Sequence, residues 1–180
     1  MITVIHVLNG SSLSVQRFEQ ILSSAESILE HPVRLEPSPL DIQKAFDSSR
    51  GQYNSTALLA QILTTTLPNG EKWIAVVDVD LYVPVLTFVY GEAQFNGSAA
   101  IISTHRLRNQ FYGIPQDDSL FLERLAKEMI HELGHTFGLY HCRQFDCVMH
   151  SSTYVEEIDL KRATPCPQCK SSLLRTTKSS

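Results

Sequence analysis

No stripe of basic residues runs through this chain: 15 Lys and Arg are interspersed with 19 Asp and Glu, for a formal net charge of −4. That excludes the electrostatic footprint expected of a nucleic-acid partner. No apolar run suits a membrane either, because the most apolar stretch, residues 73–90, is interrupted by Asp78, Asp80 and Pro84. The N-terminus lacks a basic region and a small-residue cleavage site and turns polar at Asn9. It therefore reads as a first strand and not as an export signal, which makes a reducing cytoplasm the expected compartment. Repeats and convincing linkers are also missing. With 43% hydrophobic residues in 180, the chain can bury one substantial core. A single domain is the default, and a monomer the default state.

What is present is concentrated in eleven residues, 131–141, which read His-Glu-Leu-Gly-His-Thr-Phe-Gly-Leu-Tyr-His. On a helix, His131 and His135 project from one face about a turn apart, a spacing that chelates a metal at roughly 2 Å bond length. A third ligand from the next turn would be crowded, but Gly138 can adopt the left-handed conformation and stop the helix. The chain then doubles back to present His141. Three protein ligands leave the fourth tetrahedral position of zinc for water, the catalytic arrangement. Glu132, beside the first ligand, is placed to take a proton from that water. Chance yields the full pattern in about one chain of this size in a hundred thousand.

The surrounding periodicity supports a helix with two faces. At 100° per residue, Leu122, Leu125, Ala126, Met129, Ile130, Leu133 and Phe137 share one apolar sector, with His131 and His135 nearly opposite. Histidines serving only the core would lie in the apolar stripe. Asp117 and Asp118 are cap candidates, and Gly138 closes the helix.

All four cysteines, at 142, 147, 166 and 169, follow the third histidine. In a secreted protein they would suggest two disulfides; in a reducing compartment, clustered thiols more often bind metal. Cys166 and Cys169 form a C-x-x-C half-site of the kind used for structural zinc, and Cys142 and Cys147 can complete it. Disulfides, a redox pair and unligated thiols are the alternatives.

Along the chain, residues 2–8 read as a strand, 13–29 as a helix, 33–36 as a short strand and 37–54 as irregular. A second helix is expected over 55–66, bounded by Pro68, Asn69 and Gly70, followed by a central buried strand at 73–79. Shorter strands are expected at 86–90 and 99–104, then the long helix, then turns carrying the cysteines and a frayed end. Asp78 and Asp80, two apart at a strand end, either orient metal ligands from behind or cap neighbouring turns; the structural role is favoured.

The histidine motif resembles the metzincin clan of metallopeptidases. More narrowly, His141-Cys142, the four-residue gap to Cys147, the Cys147-Val148-Met149 run and the closing Cys166-Pro167-Gln168-Cys169 resemble the archaemetzincins. The segments Asp78-Val79-Asp80-Leu81-Tyr82 and Phe88-Val89-Tyr90-Gly91-Glu92-Ala93 are similar to that family too. The resemblance implies a mixed α/β (α+β) metzincin-like fold. It would have a twisted sheet of about five strands, an active-site helix and a small zinc-stapled C-terminal subdomain. One domain would span residues 1–170, divided at 138/139 into upper and lower subdomains, with a flexible tail at 171–180. The resemblance also implies that Met149 lies under the metal as the Met-turn residue. A structural zinc on Cys142, Cys147, Cys166 and Cys169 would sit beside the catalytic one, making two zinc ions per chain. The strand nearest the cleft, residues 86–90 continuing toward Ala93, would run antiparallel and pair with an extended peptide. Some metzincins carry a tyrosine two residues after the Met-turn methionine; here that position is Ser151, and Tyr154 is off the spacing. His150 is either pocket wall or surface.

The expected function is zinc-dependent hydrolysis of peptide bonds in a peptide or protein substrate, with Glu132 as general base. A zinc-binding scaffold with a vestigial site is the rival from another class, and the intact Glu132 argues against it. A zinc-ribbon nucleic-acid module built on the cysteines is a third reading.

Overall fold

The computed structural model describes residues 3–64 and 70–178. Its centre is a five-stranded sheet ordered β2-β1-β5-β8-β7, from β1 (Ile5–Gly10), β2 (Val33–Pro37), β5 (Lys72–Val77), β7 (Gly91–Ala93) and β8 (Ala99–Ser103). β2, β1, β5 and β8 are mutually parallel and β7 closes the edge antiparallel to β8. A smaller sheet is built from β3 (Phe46–Asp47), β4 (Gln52–Asn54) and β6 (Leu81–Tyr82).

The near-continuous apolar character of β5 and β8 follows from burial on both faces. Ile74, Val76, Ala100 and Ile102 pack toward α1 (Val15–Leu29) and α3 (Asp118–Thr136). Ala75, Val77, Ala99 and Ile101 pack toward α2 (Ser55–Thr64) on the other side. In α1, Phe18, Ile21, Ala25 and Leu29 recur at three and four and form its buried stripe.

The helix α3 carries the motif. Asp117 caps it by accepting the Leu120 N–H at 2.9 Å. Leu125, Met129 and Leu133, fully buried, form its back. At its end Gly138 adopts φ 81°. Its N–H reaches the His135 carbonyl at 2.9 Å and the Leu139 N–H reaches Gly134 at 3.0 Å. This pair of bonds is a Schellman stop, and only glycine takes that φ without strain. Beyond it come α4 (Val155–Leu160) and α5 (Pro167–Lys178).

Three expectations change. Residues 86–90 are not a regular strand: only Val89 bridges, antiparallel, to Leu81. The Leu86 and Thr87 carbonyls are instead taken by side chains, Arg50 reaching Leu86 at 2.8 Å and Gln52 reaching Thr87 at 2.9 Å. The antiparallel edge strand is β7, slightly further along. The 37–54 stretch holds β3, β4 and a short 3-10 turn. In place of turns and a frayed end, α5 runs from Pro167, anchored by buried Leu173. The expected end of the second helix at 65–66 and its Pro68-Asn69 boundary lie outside the described residues. Residue 2 of the first strand and residues 179–180 of the tail lie outside them as well.

Candidate active site

The functional side chains converge where α3 meets β7 and the loops after Gly138. His131 Nδ1 donates to the Val148 carbonyl at 2.8 Å, and His135 Nδ1 donates to the Leu139 carbonyl at 2.7 Å. With the proton fixed on Nδ1, each Nε2 keeps its lone pair, which is how a ligand imidazole is oriented. The two Nε2 atoms face each other at 3.1 Å. His141 comes from the far side, its ring centroid 5.3 Å from His131 and 4.8 Å from His135. The ligand atoms of the three lie within 4.8 Å of one another. Burial, the leading cause for all three, holds these imidazoles below their ordinary pKa, and His131 well below it. Neutral and converging, with the tautomers of His131 and His135 fixed, they fit a borderline-soft cation such as zinc.

Glu132 is nearly buried, and burial followed by the charges of Glu128 and Glu92 pushes its carboxyl well above the ordinary range. Its approach to the sheet depends on Gly91: a Cβ there would lie 2.7 Å from Glu132 Cγ and 2.7 Å from the Ile101 carbonyl oxygen. Met149 is fully buried, and its thioether occupies the space where a Cβ on Gly134 would sit. The methionine thus packs under the helix between the two histidines. The Cys142 N–H donates to the Met149 carbonyl at 2.9 Å, tying the residue after His141 to this floor.

The four cysteines form a second cluster whose sulfurs also lie within 4.8 Å of one another. All are free thiols, and Cys142 and Cys166 at 3.8 Å are far beyond the disulfide bond length of about 2 Å. Backbone N–H groups already point at the sulfurs, Gln144 to Cys142 at 3.4 Å and Cys166 to Cys147 at 3.2 Å. Burial raises the Cys166 thiol, but the Cys169 N–H and the neighbouring sulfurs outweigh it and bring it down to about 7. Burial pushes the Cys147 and Cys169 thiols up, so the cluster favours one thiolate at a time without a cation, and its four converging sulfurs are the donor set of a structural metal.

Other candidates fall outside the site. Asp78 accepts from the Ser12 N–H and from Thr104, and Asp80 is held by Arg106 at 2.6 and 2.7 Å and by Gln52 at 2.9 Å. Both are structural, as favoured. Tyr154 is exposed at the start of α4. His150 Nδ1 donates to the Cys142 carbonyl at 2.8 Å and so braces the loop. One residue lining the cleft escaped the sequence reading, Glu128, as did Lys161, which stands beside it at 3.6 Å. Glu128 has a signal: 128, 131, 132 and 135 share one helical face. Lys161 has none.

A cleft of about 370 Å³ opens over this arrangement, walled by β7 and the segment before it on one side and by Ser151–Thr153 on the other. The parallel sheet, the antiparallel edge and three converging histidines with an adjacent buried glutamate define a metallopeptidase architecture. The comparisons agree. The profile of Peptidase family M54 matches residues 33–175. The archaemetzincin of Thermococcus kodakarensis is 47% identical over 102 residues, a match spanning 57% of this chain and 55% of that protein. The archaemetzincin of Methanopyrus kandleri is 38% identical over 91% of this chain and 88% of its own length. The crystal structure of a zinc-dependent peptidase from Methanocorpusculum labreanum superposes with a TM-score of 0.84 at 32% identity, covering 94% of this chain and 99% of that one. The chain belongs to peptidase family M54.

Proposed function

We propose that the protein hydrolyses peptide bonds in the cleft between β7 and residues 151–153, with zinc held by His131, His135 and His141. A second, structural zinc on Cys142, Cys147, Cys166 and Cys169 completes the reading. The observation that carries it is the convergence of three neutral imidazoles, two with Nδ1 already committed to carbonyls, beside one buried carboxyl. Zinc bound there supplies Lewis-acid polarisation of the scissile carbonyl and acidifies a water molecule.

The chain supplies the rest. Glu132 takes the proton of the attacking water and carries it to the leaving amine; a carboxyl whose burial favours the protonated form is suited to hold that proton between the two steps. The backbone of β7 positions the substrate. Tyr90 and Gln94 make their ladder bonds to β8, so the alternation turns Gly91 and Ala93 outward, toward the free edge. An extended peptide lying along that edge presents its carbonyl to the histidines.

The test is Glu132→Gln. It removes the base and keeps the three imidazoles. Zinc content by elemental analysis should stay at two per chain, while peptide turnover falls by at least about a thousandfold, the scale of losing a general base together with its electrostatic role. Wild-type turnover in that variant refutes the mechanism.

A further inference from the structure

Outside the histidines and Glu132, the polar floor of the cleft is built in an unusual way. Glu128 and Lys161 are 4% and 3% exposed, yet Lys161 Nζ stands 3.6 Å from Glu128 Oε1, too far for a hydrogen bond. Among the described residues neither atom has any hydrogen-bond partner, and the same holds for the buried hydroxyl of Ser152, which lines the cleft with Glu128.

The other buried cations of the fold are treated differently. Arg124 is held by Asp159, the Leu107 carbonyl and Asn109. Lys127 donates to the Ile158 and Asp159 carbonyls, and even the half-buried Lys72 donates to those of Gly97 and Thr136. Buried charges normally have such partners, because leaving one unsatisfied costs several kcal/mol. Glu128 and Ser152 line the cleft and Lys161 stands behind Glu128, so a pair left short of hydrogen bonds there is a site waiting for a polar group from outside.

We propose that Glu128, Lys161 and Ser152 form a specificity subsite for a neutral carboxamide side chain, glutamine above all, flanking the scissile bond. This rests on the peptidase reading above. The charge balance selects neutrality. The pair sums to zero. An acidic side chain would meet Glu128 with Glu132 behind it, and a basic one would meet Lys161 and the metal site. A carboxamide alone supplies both missing halves: its NH₂ donates to Glu128 Oε1, and its carbonyl accepts from the Ser152 hydroxyl or Lys161 Nζ. An aliphatic side chain of similar volume would bury all three groups dry. Sites built to hydrogen-bond a substrate group reject analogues lacking it far more strongly than apolar pockets sort by size.

The test uses the zinc-loaded Glu132→Gln protein and fluorescent peptides in which Gln, Leu, Glu or Lys is stepped through the positions around a common centre. Fluorescence anisotropy should show one position at which Gln binds at least about tenfold tighter than Leu, Glu or Lys. Ser152→Ala should weaken that preference. Replacing both members of the pair, Glu128→Met with Lys161→Met, leaves no lone buried charge and should turn the preference from Gln to Leu. Tighter binding of Leu, Glu or Lys at every position, or equal binding throughout, overturns the subsite. Turnover by zinc-loaded wild-type protein is read separately. If no peptide is cut although the Gln preference is present, the peptidase reading fails and the subsite stands.

Discussion

Gly91 couples the edge of the sheet to the position of the Glu132 carboxyl. An added Cβ would lie 2.7 Å from Glu132 Cγ, 2.9 Å from its Cδ and 2.7 Å from the Ile101 carbonyl oxygen, where ordinary contact begins at 3.4 Å. The shortfall is about 0.7 Å on each side, and the two neighbours differ in how they can respond. Ile101 O belongs to the backbone of β8, fully buried between β5 and β7, and cannot retreat. Relief must therefore come from β7 itself easing away from β8, and the Glu132 side chain has to give way with it, so Gly91→Ala moves the carboxyl by roughly half an ångström or more, with an overpacking cost of about 1–3 kcal/mol. A misplacement of about 1 Å costs up to about a hundredfold, so kcat/KM should fall by about ten- to a hundredfold. Melting should fall by about 3–10 °C for a chain of this size. Zinc should remain at wild-type stoichiometry, because the carbonyls that orient His131 and His135 belong to Val148 and Leu139 and are untouched. Peptide hydrolysis, calorimetry and metal analysis on one preparation decide the matter. Full activity, or activity lost together with the zinc, refutes the reasoning.

Gly138→Ala places a side chain at φ 81° and should cost about 1–2 kcal/mol, seen as a lowered melting temperature with weaker zinc retention as His141 shifts. Cys166→Ala should release one zinc per chain and lower activity at least about tenfold, read by metal analysis and peptide turnover on the same sample. For Asp80, burial raises the carboxyl, but the Arg106 and Gln52 hydrogen bonds outweigh it and hold it below its ordinary value. Such a group binds fewer protons folded than unfolded. Its stabilisation is therefore present above the ordinary carboxylate pKa, about 4, and lost as the pH falls through the folded value. Asp80→Asn should melt lower near neutrality and lose less stability than wild type between about pH 5 and pH 3, as thermal scans across that range would show.

Elements that satisfy themselves locally were legible in the sequence. β5 read as a central strand because it is apolar on both faces, β8 read as a shorter strand, and α3 as a helix because its stripe, its Asp117 cap and its Gly138 stop agree. The three converging histidines were legible because two sit on one helical turn and the third follows a glycine stop. Residues 86–90 misled because Arg50 and Gln52, distant in sequence, hold their carbonyls where a strand neighbour was expected. The helix α5 was obscured because few apolar residues mark it, and Leu173 does most of the anchoring. Lys161 was invisible for a related reason. Its pairing with Glu128 depends on how α4 docks against α3, and no local spacing records that.

The two clusters are joined more closely than adjacency along the chain implies. Cys142 follows His141 directly, which already couples one catalytic ligand to the sulfurs. The hydrogen bonds add a second connection. Val148, whose carbonyl holds His131 Nδ1, lies between Cys147 and Met149, and its own N–H reaches the Thr164 carbonyl at 3.4 Å, near Cys166. The same short loop also returns to Cys142 through the Met149 carbonyl. His135 is anchored on Leu139 at the helix stop, outside the cysteine-bounded segment. His131 thus takes its orientation from a loop that the cysteines fasten, and His141 is tied to the same loop through its covalent neighbour Cys142. A metal on the sulfurs would then act at a distance on these two histidines through rigid backbone, by fixing the Val148 carbonyl that orients His131 and the chain position of His141. Loss of the cysteine site should for that reason appear first as weakened zinc affinity at His131 and His141, before any loss of the sheet or of α3.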